Sequence, residues 1–189
     1  MRHVKILGLL TMAAASLMAF ASSASGAPTL TSPAGTEYTG AIEATLEKGT
    51  SSLWKAGTEA TCTESSVSGT AKTNSELHVR IGISTETFSN CTRHVVVTNF
   101  GEWTISWTGV LTTIGTEITI TDTGLGISCV YGGGPSPGTS IGTLIPGTPA
   151  KIKVSTAKLQ KISGSFLCPS EGTWTANYVV TKPSTLLLS

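Results

Sequence analysis

From Tyr38 onward the chain alternates apolar and polar residues with a period of two, and no helical stripe competes with that pattern after the first two dozen residues. Tyr38, Gly40, Ile42, Ala44 and Leu46 share one parity, with Thr39, Glu43, Thr45 and Glu47 on the other. Leu77, Val79, Ile81 and Ile83 alternate with Glu76, His78 and Arg80, and Trp103, Ile105, Trp107 and Leu111 alternate with Glu102, Thr104, Ser106 and Thr108. Shorter runs repeat the pattern at Ile118 and Ile120 and at Ile152 and Val154. Successive side chains of a strand point to opposite faces, so each run describes a half-buried strand. Breakers such as Lys48-Gly49, Gly132-Gly133-Gly134-Pro135 and Pro146-Gly147 separate the runs. The expectation is an all-β sandwich or barrel of about eleven to thirteen short, mostly antiparallel strands.

The first residues read as a secretory signal. Arg2, His3 and Lys5 precede an uncharged apolar run from Ile6 to Ala21, and small residues follow through Ala27. The run is too short for a membrane-spanning helix. The expected organisation is a signal peptide over 1–26, with cleavage somewhere within 21–27, and a single β domain over 27–189. No transmembrane anchor is expected once the signal is removed. Losing Arg2 and Lys5 takes the formal charge from +1 to −1. A surface so close to neutral excludes the basic stripe of a nucleic-acid binder.

Two halves of the domain share landmarks in one order. The first, 36–107, runs Tyr38-Thr39-Gly40, Cys62, Gly69-Thr70, Leu77-His78-Val79, Phe88 with Cys91, then Trp103-Thr104 and Trp107. The second, 107–182, runs Trp107-Thr108-Gly109, Cys129, Gly142-Thr143, Ile152-Lys153-Val154, Phe166 with Cys168, then Trp174-Thr175 and Tyr178. The shared order points to a duplicated unit. An even number of cysteines in an exported chain, without metal-ligand spacing, points to disulfides. Spacing alone leaves three connectivities open. Duplication selects Cys62 with Cys91 and Cys129 with Cys168, because equivalent cysteines then do equivalent work.

Catalytic motifs are weak. Gly138-Thr139-Ser140-Ile141-Gly142 matches the hydrolase elbow pattern, but that pattern requires a helix afterwards and a histidine downstream. His78 and His94 both lie upstream of Ser140. Glu64, Glu102 and Glu171 flank the Cys and Trp landmarks and are the first candidates for a glycosidase-type carboxylate pair. No catalytic, cofactor-binding or metal residue is assigned. Trp54, Trp103, Trp107 and Trp174 form a candidate ligand platform, since flat aromatic faces stack on sugar rings. Core packing competes, because Trp103 and Trp107 share the parity of Ile105 and Leu111. Lys151, Lys153, Lys158 and Lys161 are the kind of charges that guard an open sheet edge.

Ala27-Pro28-Thr29-Leu30-Thr31 after the leader, the paired Ser/Thr-Cys strands and Trp174-Thr175-Ala176-Asn177-Tyr178 resemble a loosely defined, functionally unassigned group of small exported bacterial proteins. That resemblance implies secretion and an all-β fold, and brings no catalytic residues. The expected function is a secreted or envelope-associated, non-enzymatic structural or binding protein whose partner is an extracellular macromolecule or polysaccharide. A carbohydrate-binding module using exposed Trp is the first alternative, and a secreted glycoside-hydrolase-like enzyme the second.

Overall fold

Branched side chains at every second position favour pleated backbone. The computed structural model describes residues 27–31, 33, 35–72 and 77–189, and it is all-β among them. The strands are β1 (Leu30–Thr31), β2 (Ala41–Leu46), β3 (Ser52–Lys55), β4 (Glu59–Ala71), β5 (His78–Cys91), β6 (His94–Asn99), β7 (Glu102–Ser106), β8 (Val110–Ile114), β9 (Glu117–Asp122), β10 (Ile127–Gly132), β11 (Thr139–Ile145), β12 (Lys151–Gly164), β13 (Glu171–Lys182) and β14 (Leu187–Leu188). The expected signal peptide lies outside the described residues.

The pairing pattern resolves sandwich against barrel. Strands β2 and β3 run end to end, both flanked by β4 on one side and β13 on the other, so they act as one stave. Likewise β6 with β7, β8 with β9, and β10 with β11 each form a single interrupted stave. Eight staves follow in chain order, each antiparallel to the last. The eighth, β13, pairs back to β2 with Tyr178 opposite Leu46 and Val180 opposite Ala44. This is a closed up-and-down barrel.

An eight-stranded barrel is just wide enough for its own side chains to fill it. In one half, Ile42, Ile81, Trp103, Leu111, Ile152 and Leu186 surround a residual space of only about 20 Å³, enough for one water at most. Leu30 and Leu186, carried by the β1–β14 flap and its approach, are fully buried across that mouth. We call this the terminal end, because Thr29, near the start of the described residues, bonds Ser189 there. The other half is filled by Trp54 and Trp174, stacked 4.9 Å apart, with Phe88 edge-on to both. Thr, Ser, Lys and Glu occupy the outer wall, the reverse of a barrel that faces lipid. Among the described residues no helix is long and apolar enough to cross a membrane.

Bulges set which side chains face inward. On β4 and β5 the register slips between Ser68 and Gly69, leaving Ser84 as the extra residue between Ile83 and Thr85. On β12 the register slips between Val154 and Ala157, and Thr156 takes φ 51° to make the kink. Gly142 sits at a third slip, on β11, where a Cβ would collide with the Lys153 carbonyl. Two expectations need correction here. Leu77 is 70% exposed despite its parity, because β5 begins only at His78. The lysine-rich β12 is no edge, since β13 ladders one side of it and β11 and β10 ladder the two ends of the other.

Both disulfides are present as Cys62–Cys91 and Cys129–Cys168. The first joins β4 to the end of β5, and the second ties β10 to the turn after β12, so both clamp the end opposite the termini. Two structural disulfides fit an oxidising, extracytoplasmic compartment. Each closes a loop, with sequence separations of 29 and 39, so replacing either pair with serine is expected to cost about 3 to 4 kcal/mol. Thermal melts of the two double variants against the oxidised parent check this; unchanged melting temperatures would contradict it.

Candidate functional site

Three of the four platform tryptophans are inside the barrel. Trp54, Trp103 and Trp174 are almost fully buried, while Trp107 is 75% exposed. Trp107 escapes the parity of Ile105 because β7 ends at Ser106 and the chain turns there, closed by the Gly109 amide donating to the Ser106 carbonyl. The four therefore do not form a common platform: three belong to the core, and the fourth stands by itself on a turn at the terminal end.

The other sequence candidates are scattered. Glu64, Glu102 and Glu171 lie on β4, β7 and β13, three different staves. Glu102 is held by Arg80 at 2.6 Å and Lys72 at 3.6 Å, and Glu171 by Lys158 and Gln160. Ser140 is an exposed residue of β11, with strand rather than helix after it. His78 and His94 are exposed on separate strands. Among the described residues no cluster of three or more metal-ligating side chains occurs.

A polar group the alternation hid sits inside the barrel. The Ser84 bulge flips the parity of β5, so Glu86 points inward and is only 4% exposed. Neither carboxyl oxygen has a hydrogen-bond partner, nor has the buried indole N–H of Trp54. Close by, the Trp174 indole N–H donates to the Ser52 hydroxyl at 2.9 Å, and Tyr178 and Ser65 share a hydroxyl–hydroxyl bond of 2.8 Å. Loss of solvation pushes the Glu86 carboxyl up to about 8. The Tyr178 phenol rises too, through burial first and the Glu86 charge second. Glu86 is therefore neutral at pH 7 and behaves as part of the packing.

The accessible site lies on the disulfide-clamped end. An open cleft of about 600 Å³ separates the end of β5 from β6, bounded by Phe88, Asn90, Arg93, Val95, Val96 and Asp122. Arg93 donates through Nε to Asp122 at 2.6 Å and through Nη1 to the Thr92 carbonyl. Asp122 also accepts from the Gly124 and Leu125 amides, which folds the β9–β10 turn around it. Burial pushes the Asp122 carboxyl up, but the Arg93 hydrogen bond, the Leu125 amide, the Arg93 charge and the Gly124 amide together outweigh it and hold the group below the usual aspartate value. Beside the cleft the same end presents Leu125, Phe166 and Leu167, exposed by 66%, 91% and 54%. The 165–170 turn that carries Phe166 and Leu167 is fixed to the barrel by Cys168 and by the Ser165 amide bonded to the Ser128 carbonyl. No family model, curated protein or solved structure matches this chain.

The buried Glu86 yields a pH prediction. Unfolded, the carboxyl ionises near 4.5; folded, it holds its proton to about 8. The unfolded chain therefore loses that proton first as pH rises. Stability contributed by the neutral form is whole below 4.5 and is lost progressively between 4.5 and 8. Glu86→Gln keeps the shape without the charge. Its melting temperature should match the parent near pH 4 and exceed it at pH 9, by a difference worth several kcal/mol at about 1.4 kcal/mol per pH unit. Parallel pH–melting curves for the two proteins would contradict this.

Proposed function

We propose that the protein is an exported, non-enzymatic binding module that meets an extracellular macromolecule with its disulfide-clamped end. One observation carries this reading. The open cleft, both disulfides and three exposed apolar side chains, among them Phe166, the most exposed of all, gather at the same end of a barrel whose interior is filled. Clamping loops that hold Leu125, Phe166 and Leu167 in water is costly unless something covers them, and rigid exposed apolar side chains are the usual anchors of an interface. The leader-like start and the oxidised cysteines support export. Against a carbohydrate platform stands the burial of three of the four tryptophans, which leaves Trp107 alone in solvent, and against a hydrolase the spread of Glu64, Glu102 and Glu171 over three staves.

We infer that the barrel is a duplicated four-stave unit. Landmarks of the two halves fall four staves apart. Gly69 and Gly142 each mark a register slip on the second stave of their half, and Cys62 and Cys129 lie on those same staves. The third stave of each half also carries a bulge, at Ser84 against the second stave in one half and at Ser155-Thr156 against the fourth stave in the other. In this alignment Glu86 stands where the second half has Ala157.

The test uses the oxidised, mature protein and a Leu125→Ser/Phe166→Ser double variant, both incubated with isolated cell envelopes and with purified wall polysaccharide. Retention of the parent on one of them, with about tenfold weaker retention of the variant at an equal melting temperature, is the expected outcome. Equal retention of the two proteins, or release of reducing sugar by the parent, would overturn the proposal.

A further inference from the structure

The longest stretch of barrel wall without a ladder among the described residues runs along β5. Strand β5 is paired to β7 only from His78 to Gly82; beyond that, its edge from Ser84 to Cys91 faces β6 without a ladder. Strand β6 is bonded to β9 and to no strand on its other side. Two strand edges thus look at each other across the cleft of about 600 Å³.

The fold itself does not require this gap. Four staves on, the corresponding stretch of β12 is laddered to β13 without interruption, Ala157 opposite Trp174 through Gln160 opposite Glu171. The two halves of the barrel diverge at this seam. The open edges also lack the usual protection. Outward positions on β5 are Ser84, Thr85, Thr87 and Ser89, and on β6 they are His94, Val96 and Thr98, with no lysine among them. Natural edge strands are normally guarded by lysine, proline or a covering segment.

We propose that the β5–β6 seam is a strand-acceptor site, in which an extended segment of a partner polypeptide adds to the open edges as an extra stave. The row of alternating backbone donors and acceptors on a strand edge is matched by another polypeptide backbone, and by neither a glycan nor a lipid surface. The lining sets the side-chain chemistry. Phe88, half-buried, and Val95 form an apolar floor, so the added segment carries apolar residues at alternate positions. Small polar residues between them would continue the Thr/Ser outer wall. Arg93, fixed by Asp122, closes the seam at the turn and limits how far the segment extends. This deepens the binding-module reading by naming the partner class.

The experiment is amide hydrogen exchange on the mature, oxidised protein, free and with a defined probe. The probe is a pool of acetylated, amidated hexapeptides Thr-Xaa-Thr-Xaa-Thr-Xaa, with Xaa drawn from Val, Ile and Phe. In the free protein, amides of residues 84–91 and 94–99 should include a set exchanging far faster than those of β12 and β13. With the pool, that set should slow by about tenfold. The same peptides N-methylated at alternate residues should give no slowing, and Val96→Lys, which puts a charge on the open edge, should abolish the effect at an unchanged melting temperature. Uniformly slow exchange of the seam in the free protein, equal protection by N-methylated peptides, or no protection by the pool would overturn the proposal. Protection that grows with protein concentration alone would also overturn it, by making a second copy of the chain the occupant. If the seam fails while Leu125→Ser/Phe166→Ser still loses envelope retention, the clamped-end reading stands without it. If both variants retain full binding, both fall.

Discussion

Pairing of β13 with β2 is the contact on which the rest of the structure depends. It joins the last long strand to the first, and so converts a meander of neighbouring hairpins into a cylinder. Without it the barrel would have two long free edges, and the tryptophan stack would lose a wall, since Trp54 and Trp174 come from the staves that meet there. Closure is the most expensive step in chain entropy, because its partners are separated by most of the sequence. The hairpins are cheap by comparison. Burial of the Ile, Leu and Trp rows rewards closure only once the cylinder is complete.

Closure also decides what kind of site the molecule can have. A ring of eight staves has an interior sized for side chains, so these ones fill it and leave no chamber for a ligand. Function is thereby displaced to the wall and the rims. One rim is covered by the joined termini. The other is stiffened by two disulfides and exposes Leu125, Phe166 and Leu167. Among the described residues, the wall's longest break in pairing is the β5–β6 seam. Glu86 sits just inside that weak stretch of β5, a buried acid that the neighbouring hydroxyls of Tyr178, Ser65 and Ser52 leave unbonded.

Much of this architecture is legible in the alternation of residues, and the failures have one physical origin. Period-two reading places Ile42, Ala44, Val79, Ile81, Trp103 and Ile105 inside, where they are. It cannot see where a strand stops, so Leu77 and Trp107 take core parity while standing in solvent. Nor can it see an extra residue. A single insertion at Ser84 reverses every face beyond it, which turns Glu86 inward and hides the least expected group in the barrel. Phe88, two residues on, carried the only hint, since an aromatic on the presumed outer face was already out of place. Sandwich against barrel was not legible, because the pairing that separates them is between strands far apart in the chain. The cysteine pairs were accessible through the order of landmarks rather than through spacing. The cleft was not, because its walls are defined by hydrogen bonds that are missing.

The meeting of Thr29 with Ser189 fixes a polarity for the whole molecule. Any segment fused before Thr29 or after Ser189 would leave the barrel from a single pole. The stapled rim then points away from whatever the chain is tethered to, like the working face of a tool held by its handle.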